Sequence, residues 1–486
     1  MEDWSSYERR GTPGWHLAFS DWILRVVKRL PRWKIGPLPI LQAWAEFKRR
    51  DSERFSVKRP ADVTIQPALS AYYDVFFTED FDMVERGLAS LLNEATSPLH
   101  SLPFRGGGLA SIFEGSRGNP TGTSWHNIGH LCFEKYPAEI RTFRALDVEL
   151  LRLSPSCIAL FISSFPTDAF RQRFLRIINK DVDRKRVIHL TKLFPLKLLL
   201  EDLMPLAMRR RELEELFLEM NQELVSVLRE HIHRGWSSHG PLPSVEVFSC
   251  EAMGTAFHDR EQGSQFWRSL GLEYLEGFHY SDSSGLFLVP PRSIAKDAIS
   301  SPHRCVVDVK SYLSDEKLRF IGDHEHALHY HVVETLRGLV PMLALREHAI
   351  CACESLSDLR ERISPSLAAS RWFLRKIQIL WHLFRVPFRL SELRFKCERM
   401  KGCSESDFSS VSNAGKLRRT TRRWSDDGLF ADDLRFQVDH LWAHLDKQLS
   451  ILHDAYRELW NFCIQWILVV LGVAALVMAG AQILKK

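Results

Sequence analysis

Hydrophobic positions change their period along this chain, and each change marks an element. Toward the C-terminus, Leu434, Val438, Leu441, Leu445, Leu449, Leu452, Tyr456, Leu459 and Cys463 recur at steps of three and four. That is the stripe of a helix with one narrow apolar seam, the form a coiled coil uses. The repeated four-step from Leu441 through Leu445 to Leu449 is a stutter in the seam. An amphipathic helix folded back on its own chain is the competing reading. No Gly or Pro occurs between Leu429 and Leu471, so this stalk can run without a break into the C-terminal segment.

That last segment carries no polar face. From Asn461 to Leu484 there is no charged residue, and Trp466–Ala481 is apolar throughout. At about 1.5 Å per residue the uncharged stretch reaches roughly 36 Å, enough for a hydrocarbon layer of about 30 Å. Trp460 and Trp466 stand at one end, Lys485 and Lys486 at the other, as interface anchors do. A single C-terminal transmembrane helix is expected over 464–484. Gln465, Leu468, Gly472, Ala475, Ala479 and Gln482 share one of its faces. Small residues let helices approach, and glutamines bond across a helix pair, so this face is expected to support a homo-oligomer.

The N-terminal part reads differently. ALDVELLRL and CIALFISSF flank Ser154-Pro155-Ser156 and predict a hairpin. Residues 209–232 predict a helix with Leu213, Phe217, Met220, Leu224, Val227 and His231 on one stripe. PSVEVFSC, FHYSDSSGLFLVPP and RCVVDVKSY read as strands, and a further helix starts near Asp323. Strand pairs interrupted by long helices give the α+β class. The expected organisation is a basic aromatic segment (1–60), an α+β body of mixed helices and hairpins (61–365), a basic amphipathic helical segment (366–400), a polar linker (401–428), a helical stalk (429–463) and the span.

Composition bounds the function classes. The 486 residues are 45% hydrophobic and 26% charged with net charge +5, which suits a globular chain and excludes wholesale disorder. Nine cysteines without a CxxC pair fit reduced thiols better than a disulfide frame. The acidic start MEDWSSYERR has no signal-peptide pattern. Lys447 and Arg457 balance Lys485 and Lys486 across the span, so that missing pattern decides the expected orientation, with the bulk in the cytoplasm. Trp, Phe and basic residues interleave over 15–34 and 371–401, the latter including Arg371, Arg375 and Lys376; Arg418, Arg419, Arg422 and Arg423 lie in the linker. These residues suit an anionic lipid surface. A nucleic-acid surface is a weaker reading of them, and solvated or core-edge side chains the plain one.

Chemistry-bearing clusters are few. GDHEHALHYHVVE brings His324, His326, His329 and His331 together with Asp323, Glu325 and Glu334, donors suited to a divalent metal. Leu328 stands where a zinc-protease HExxH helix needs histidine. TSWHNIGHLCF places His126 and His130 one helical turn apart with Gly129 between them. The preceding FRGGGLASIFEGSRGNPTG lacks the phosphate-loop pattern and reads as a flexible loop. A strand ending Asp308-Val309-Lys310 offers a carboxylate for Mg²⁺ and a lysine to steady an attacking water, as in metal-dependent nucleases. Its upstream acids, Glu273, Glu276 and Asp282, sit on no evident strand.

These features support two functions. The first is a C-terminally anchored, self-associating, cytosol-facing sensor, scaffold or effector without catalysis of its own. The alternative is a membrane-tethered metal-dependent hydrolase of phosphodiesters, with Asp308, Lys310 and the His324–His331 cluster as its working residues.

Overall fold

The structure is a computed structural model. It describes residues 56–94, 97–98, 124–132, 141–154, 157–182, 185–192, 197–203, 205–232, 241–251, 260–272, 278–280, 285–289, 302–313, 324–337, 417–419 and 430–484, with scattered positions from 339 to 395. Residues 1–55 of the basic aromatic N-terminal segment, the Gly-rich loop, and Arg371, Arg375, Lys376, Arg422 and Arg423 lie outside the described residues.

The described strands are β1 (Thr64–Phe77), β2 (Ser97–Pro98), β3 (Ser124–Cys132), β4 (Phe143–Ser154), β5 (Cys157–Pro166), β6 (Lys185–Lys192), β7 (Lys197–Leu203), β8 (Ser244–Glu251), β9 (Phe278–Tyr280), β10 (Leu286–Val289), β11 (His303–Asp308) and β12 (Leu417–Arg419). The helices are α1 (Phe81–Glu94), α2 (Asp168–Asn179), α3 (Pro205–His231), α4 (Arg260–Ser269), α5 (Val309–Tyr312), α6 (His324–Arg337) and α7 (Phe430–Leu484). The mixed α and β content agrees with the α+β reading. Backbone contacts divide the chain into two units, one of residues 1–344 with 409–432, the other of residues 345–408 with 433–486.

In the first unit a 10-stranded sheet runs β12-β9-β10-β11-β8-β1-β5-β4-β3-β2, and β6 pairs with β7 in a separate ribbon. The expected hairpin is β4–β5, antiparallel along its length. The β8·β11 pair is parallel. Strand β1 has neighbours on both sides, β5 and β8. Its Pro67 has no N–H to give the ladder, and the register shifts between Pro67 and Leu69. A bulge is where a central strand can hold proline.

One sheet face forms the main core. Tyr72, Phe76, Leu160, Ile162, Phe248 and Val306 bury against α1 to α4 in a single cluster with Leu88, Phe174, Phe217, Leu224 and Phe266. Phe217 meets Phe170 and Phe248 edge-on at 5.3 and 5.6 Å between ring centres, while Phe174 stacks on Phe248 at 5.5 Å. Helix α3 buries more than its expected stripe, adding Leu216, Asn221, Val225 and Leu228. Two bonds to Leu242 offset the burial of Asn221: its Nδ2 donates to the carbonyl at 2.7 Å and its Oδ1 accepts from the N–H at 2.8 Å. That pairing holds the chain just before β8.

Helix α2 shows local structure fixed at both ends. Thr167 Oγ1 accepts from Phe170 N at 3.3 Å, an N-cap. At the other end the buried Arg209 guanidinium donates to the Ile177 and Lys180 carbonyls, the first of which also accepts from Lys180 N at 3.2 Å. Burial lowers the pKa of Arg209, and the Glu212 and Asp181 charges oppose that shift.

Helix α6 begins at His324, one residue from the expected start at Asp323. Its Ala327, Leu328, Val332, Val333 and Leu336 are buried. The Tyr312 hydroxyl lies 3.1 Å from Thr335 Oγ1 and donates to the His331 carbonyl at 3.1 Å. In the second unit α7 is one unbroken helix of 55 residues, about 80 Å long. Stalk and span are therefore continuous, as the lack of Gly and Pro predicts.

Candidate functional site

Helix α7 carries two kinds of apolar surface. Val438, Leu441, Leu445 and Leu449 of the seam are buried within the chain itself, together with Trp442. At the head of this stretch Arg346, 2% exposed, donates from Nε to Gln437 Oε1 at 3.0 Å. A three-and-four stripe fits intramolecular and intermolecular packing equally, and over 438–449 the chain supplies the cover. A coiled coil is not needed there to bury the seam. Beyond it the pattern inverts. Ile464–Gln482 has mean hydropathy 2.3 and none of it is buried. Leu468 is 62% exposed and Leu476 75%. This is the one described helix long and apolar enough to cross a membrane. Gln465, Gly472, Ala475, Ala479 and Gln482 lie on it, all exposed, and a Cβ added at Gly472 would meet nothing within 4 Å.

The second candidate lies on the sheet face away from the main core. There His130 of β3 bonds through Nδ1 to Asp147 Oδ1 of β4, its register partner. The other carboxylate oxygen, Asp147 Oδ2, lies 3.1 Å from His329 Nε2 on α6. Phe165 packs beside both rings, at 4.6 Å from His329 and 5.9 Å from His130. One carboxylate thus serves two imidazoles from two elements. With side chains 33%, 19% and 22% exposed, the group is reachable by solvent.

Sequence spacing misplaces this cluster. His126 and His130 stand four apart, which would align them on a helix, but β3 is a strand. A bulge between Asn127 and Gly129 shifts the register, so His126 faces Leu150 while His130 faces Asp147. Leu150 and Asp147 point to opposite sheet faces. Gly129 takes φ 156°, which few side-chain-bearing residues adopt. His126 titrates lower than usual because of burial.

Of the four histidines in the candidate metal cluster, His329 joins Asp147 and His331 lies 3.9 Å from Glu334. His324 and His326 belong to the first turn of α6. Among the described residues no group of three or more His, Cys, Asp or Glu side chains is arranged to hold a metal ion. The candidate nucleolytic pair is split by environment. Asp308 ends β11 and is 2% exposed, whereas Lys310 is exposed on α5. Asp308 Oδ2 accepts from Ser311 Oγ at 2.5 Å. Across the parallel register, the Cys250 thiol donates to the Val307 carbonyl at 3.4 Å. Burial first, then the Asp308 and Glu251 charges, raise its pKa well above the usual thiol range.

One polar feature escaped the sequence reading. Ser164, Ser70, Glu246 and Arg304 are register partners in one row across β5, β1, β8 and β11. All four are at most 3% exposed. Glu246 Oε2 accepts from Arg304 Nε at 3.0 Å, and Arg304 Nη1 donates to the Leu270 carbonyl at 2.8 Å. Burial pushes Glu246 up to about 7, against the pull of Arg304. Each of the four interrupts an apolar run, but other polar residues do so too (Asp74, Ser163, Ser249), and only the register lines these four up.

Of the basic linker residues, Arg418 and Arg419 fall on β12, which pairs with β9. Compared with protein-family models, with curated proteins and with solved structures, the chain matches none.

Proposed function

We propose that this chain is a C-terminally anchored membrane protein that holds a cytosol-facing α+β body at a bilayer surface and self-associates, acting as a sensor, scaffold or effector without catalysis of its own. The observation that carries the reading is the Ile464–Gln482 stretch, apolar and nowhere buried. In water so much contiguous apolar surface is costly, and lipid is the solvent that removes the cost. Continuity of α7 supports the second part, because a rigid helix joins the anchor to the segment packed within the chain. With the seam occupied over 438–449, the face left for self-association is that of Gln465, Gly472, Ala475, Ala479 and Gln482.

The test is alkaline extraction of membranes from cells making the full chain, with protease protection to read the orientation. The anchored reading expects resistance to extraction and a body digested from the cytosolic side. Release by alkali ends it. Light scattering in detergent, full length against residues 1–463, reads self-association while keeping the packed 438–449 segment: an oligomer that becomes a monomer supports it, and monomers in both remove it.

A further inference from the structure

The chain has 20 histidines, and only two pairs stand four residues apart, His126/His130 and His440/His444. Secondary structure decides what each pair can do. On the bulged strand β3 the first pair is sent to opposite faces. On α7 the second pair shares a face one turn apart, which brings Cβ atoms to about 5–6 Å. Two imidazoles so placed can ligate one ion, as in the two-histidine helix motif of zinc enzymes.

The surroundings favour that use. At about 100° per residue, His440 lies roughly 145° and His444 roughly 105° round the helix from the middle of the Val438, Leu441, Leu445 and Leu449 stripe. Those four are buried, while both histidines are exposed. Neither imidazole is therefore needed to fill the interior. Phe436, one turn earlier and 71% exposed, lies 6.3 Å from the His440 ring at an interplanar angle of 33°. That contact limits the freedom of the ring. Asp439 and Asp446 are exposed nearby and draw cations, while Lys447 opposes them.

We propose that His440 and His444 form a surface site for a divalent transition ion of the nickel, copper and zinc group, with water completing the coordination. The site needs no membrane and no second copy, so it stands apart from the anchored reading. Imidazole suits these ions, and hard ions such as Mg²⁺ and Ca²⁺ are not expected to compete.

The test is calorimetric titration of the detergent-solubilised full chain with Ni²⁺ or Zn²⁺ alone, at a pH where imidazole is neutral. The variants are His440→Ala, His444→Ala, the double variant His324→Ala with His326→Ala, and His440→Ala combined with Gln448→His. The expected result is loss of one bound ion per chain in either single variant and no loss of that ion in the His324/His326 variant. The combined variant restores the four-residue spacing with His444 and is expected to recover binding. Binding unchanged in both single variants overturns the proposal, as does a full chain that takes up no ion. Loss without recovery, in a combined variant whose helix content matches the parent by circular dichroism, overturns the spacing argument on which the site rests.

Discussion

The sheet of the body and the last third of α7 use similar side chains in opposite ways. In the body Val75, Leu88 and Leu160 are at most 2% exposed, and buried polar groups such as Asn221 and Arg209 are tied to backbone. In the span Val469, Leu471 and Val477 are more than half exposed, and one described helix carries them all. Hydrophobicity alone does not separate the two regions. Length and cover do: the central strands β1 and β5 are short apolar runs covered on both faces and the body's helices stripe theirs toward the sheet, while the span is a helix apolar all round. A helix apolar on every side has no single face to bury, so its partner must surround it.

The largest expected effect comes from breaking that all-round surface. Val470→Arg combined with Ala474→Arg places two charges near the middle of the span. Each costs about 2.5–3.5 kcal/mol in a bilayer, so membrane association should collapse, as read by vesicle flotation. A variant that still floats would show that the anchor lies elsewhere. In the body the matching injury is a cavity. Phe248→Ala removes a ring wedged against Phe174 and Phe217. A loss of about 3–5 kcal/mol is expected, visible as a lower melting temperature with flotation unchanged. Should either change affect both readouts equally, the two regions are not independent.

A smaller effect tests the polar row. Glu246 holds its proton up to about pH 7 in the folded chain, against 4.5 for the free side chain. Between those values the folded state binds more protons than the unfolded one, so stability falls as pH rises through this window. Denaturation midpoints measured from pH 4.5 to 7.5 should carry this slope, and Glu246→Gln should flatten it. An unchanged slope would mean that Arg304 keeps Glu246 ionised throughout, and that the ion pair outweighs its desolvation.

How much of this was legible in sequence depended on whether the deciding contacts were local. The span, the unbroken α7, the β4–β5 hairpin, the presence of α3 and the start of α6 were readable from period and breakers, while α3 itself begins at Pro205, ahead of the expected 209. Strand β1 was not, although it has partners on both sides. Pro67 interrupts it, and its AYYDVFF run has no clean alternation because both faces are covered. The seam of α7 was readable as a seam, but not who covers it, since burial by the same chain leaves the same stripe. The His130–Asp147–His329 group joins β3, β4 and α6 over about 200 residues. No spacing rule reaches that far, and the one rule applied, His126 with His130, assumed the wrong period.

The smallest effect asks whether that group is more than a surface bond. Asp147→Asn keeps the shape and removes the charge shared by two imidazoles. All three side chains are partly exposed, so the loss in global stability should stay below about 1 kcal/mol. Hydrogen exchange reads the local effect better. If Asp147 helps to hold α6 against the sheet, amides over 324–337 should exchange faster in the variant while those of β4 and β5 stay protected. His329→Ala should then speed the same amides, and the two changes together should add little to either alone, because they cut one contact. Uniform exchange in α6 across all three variants would assign its docking to Ala327, Leu328, Val332, Val333 and Leu336. The histidine–aspartate group would then be free of structural duty, and its arrangement would have to be explained by what it binds or does.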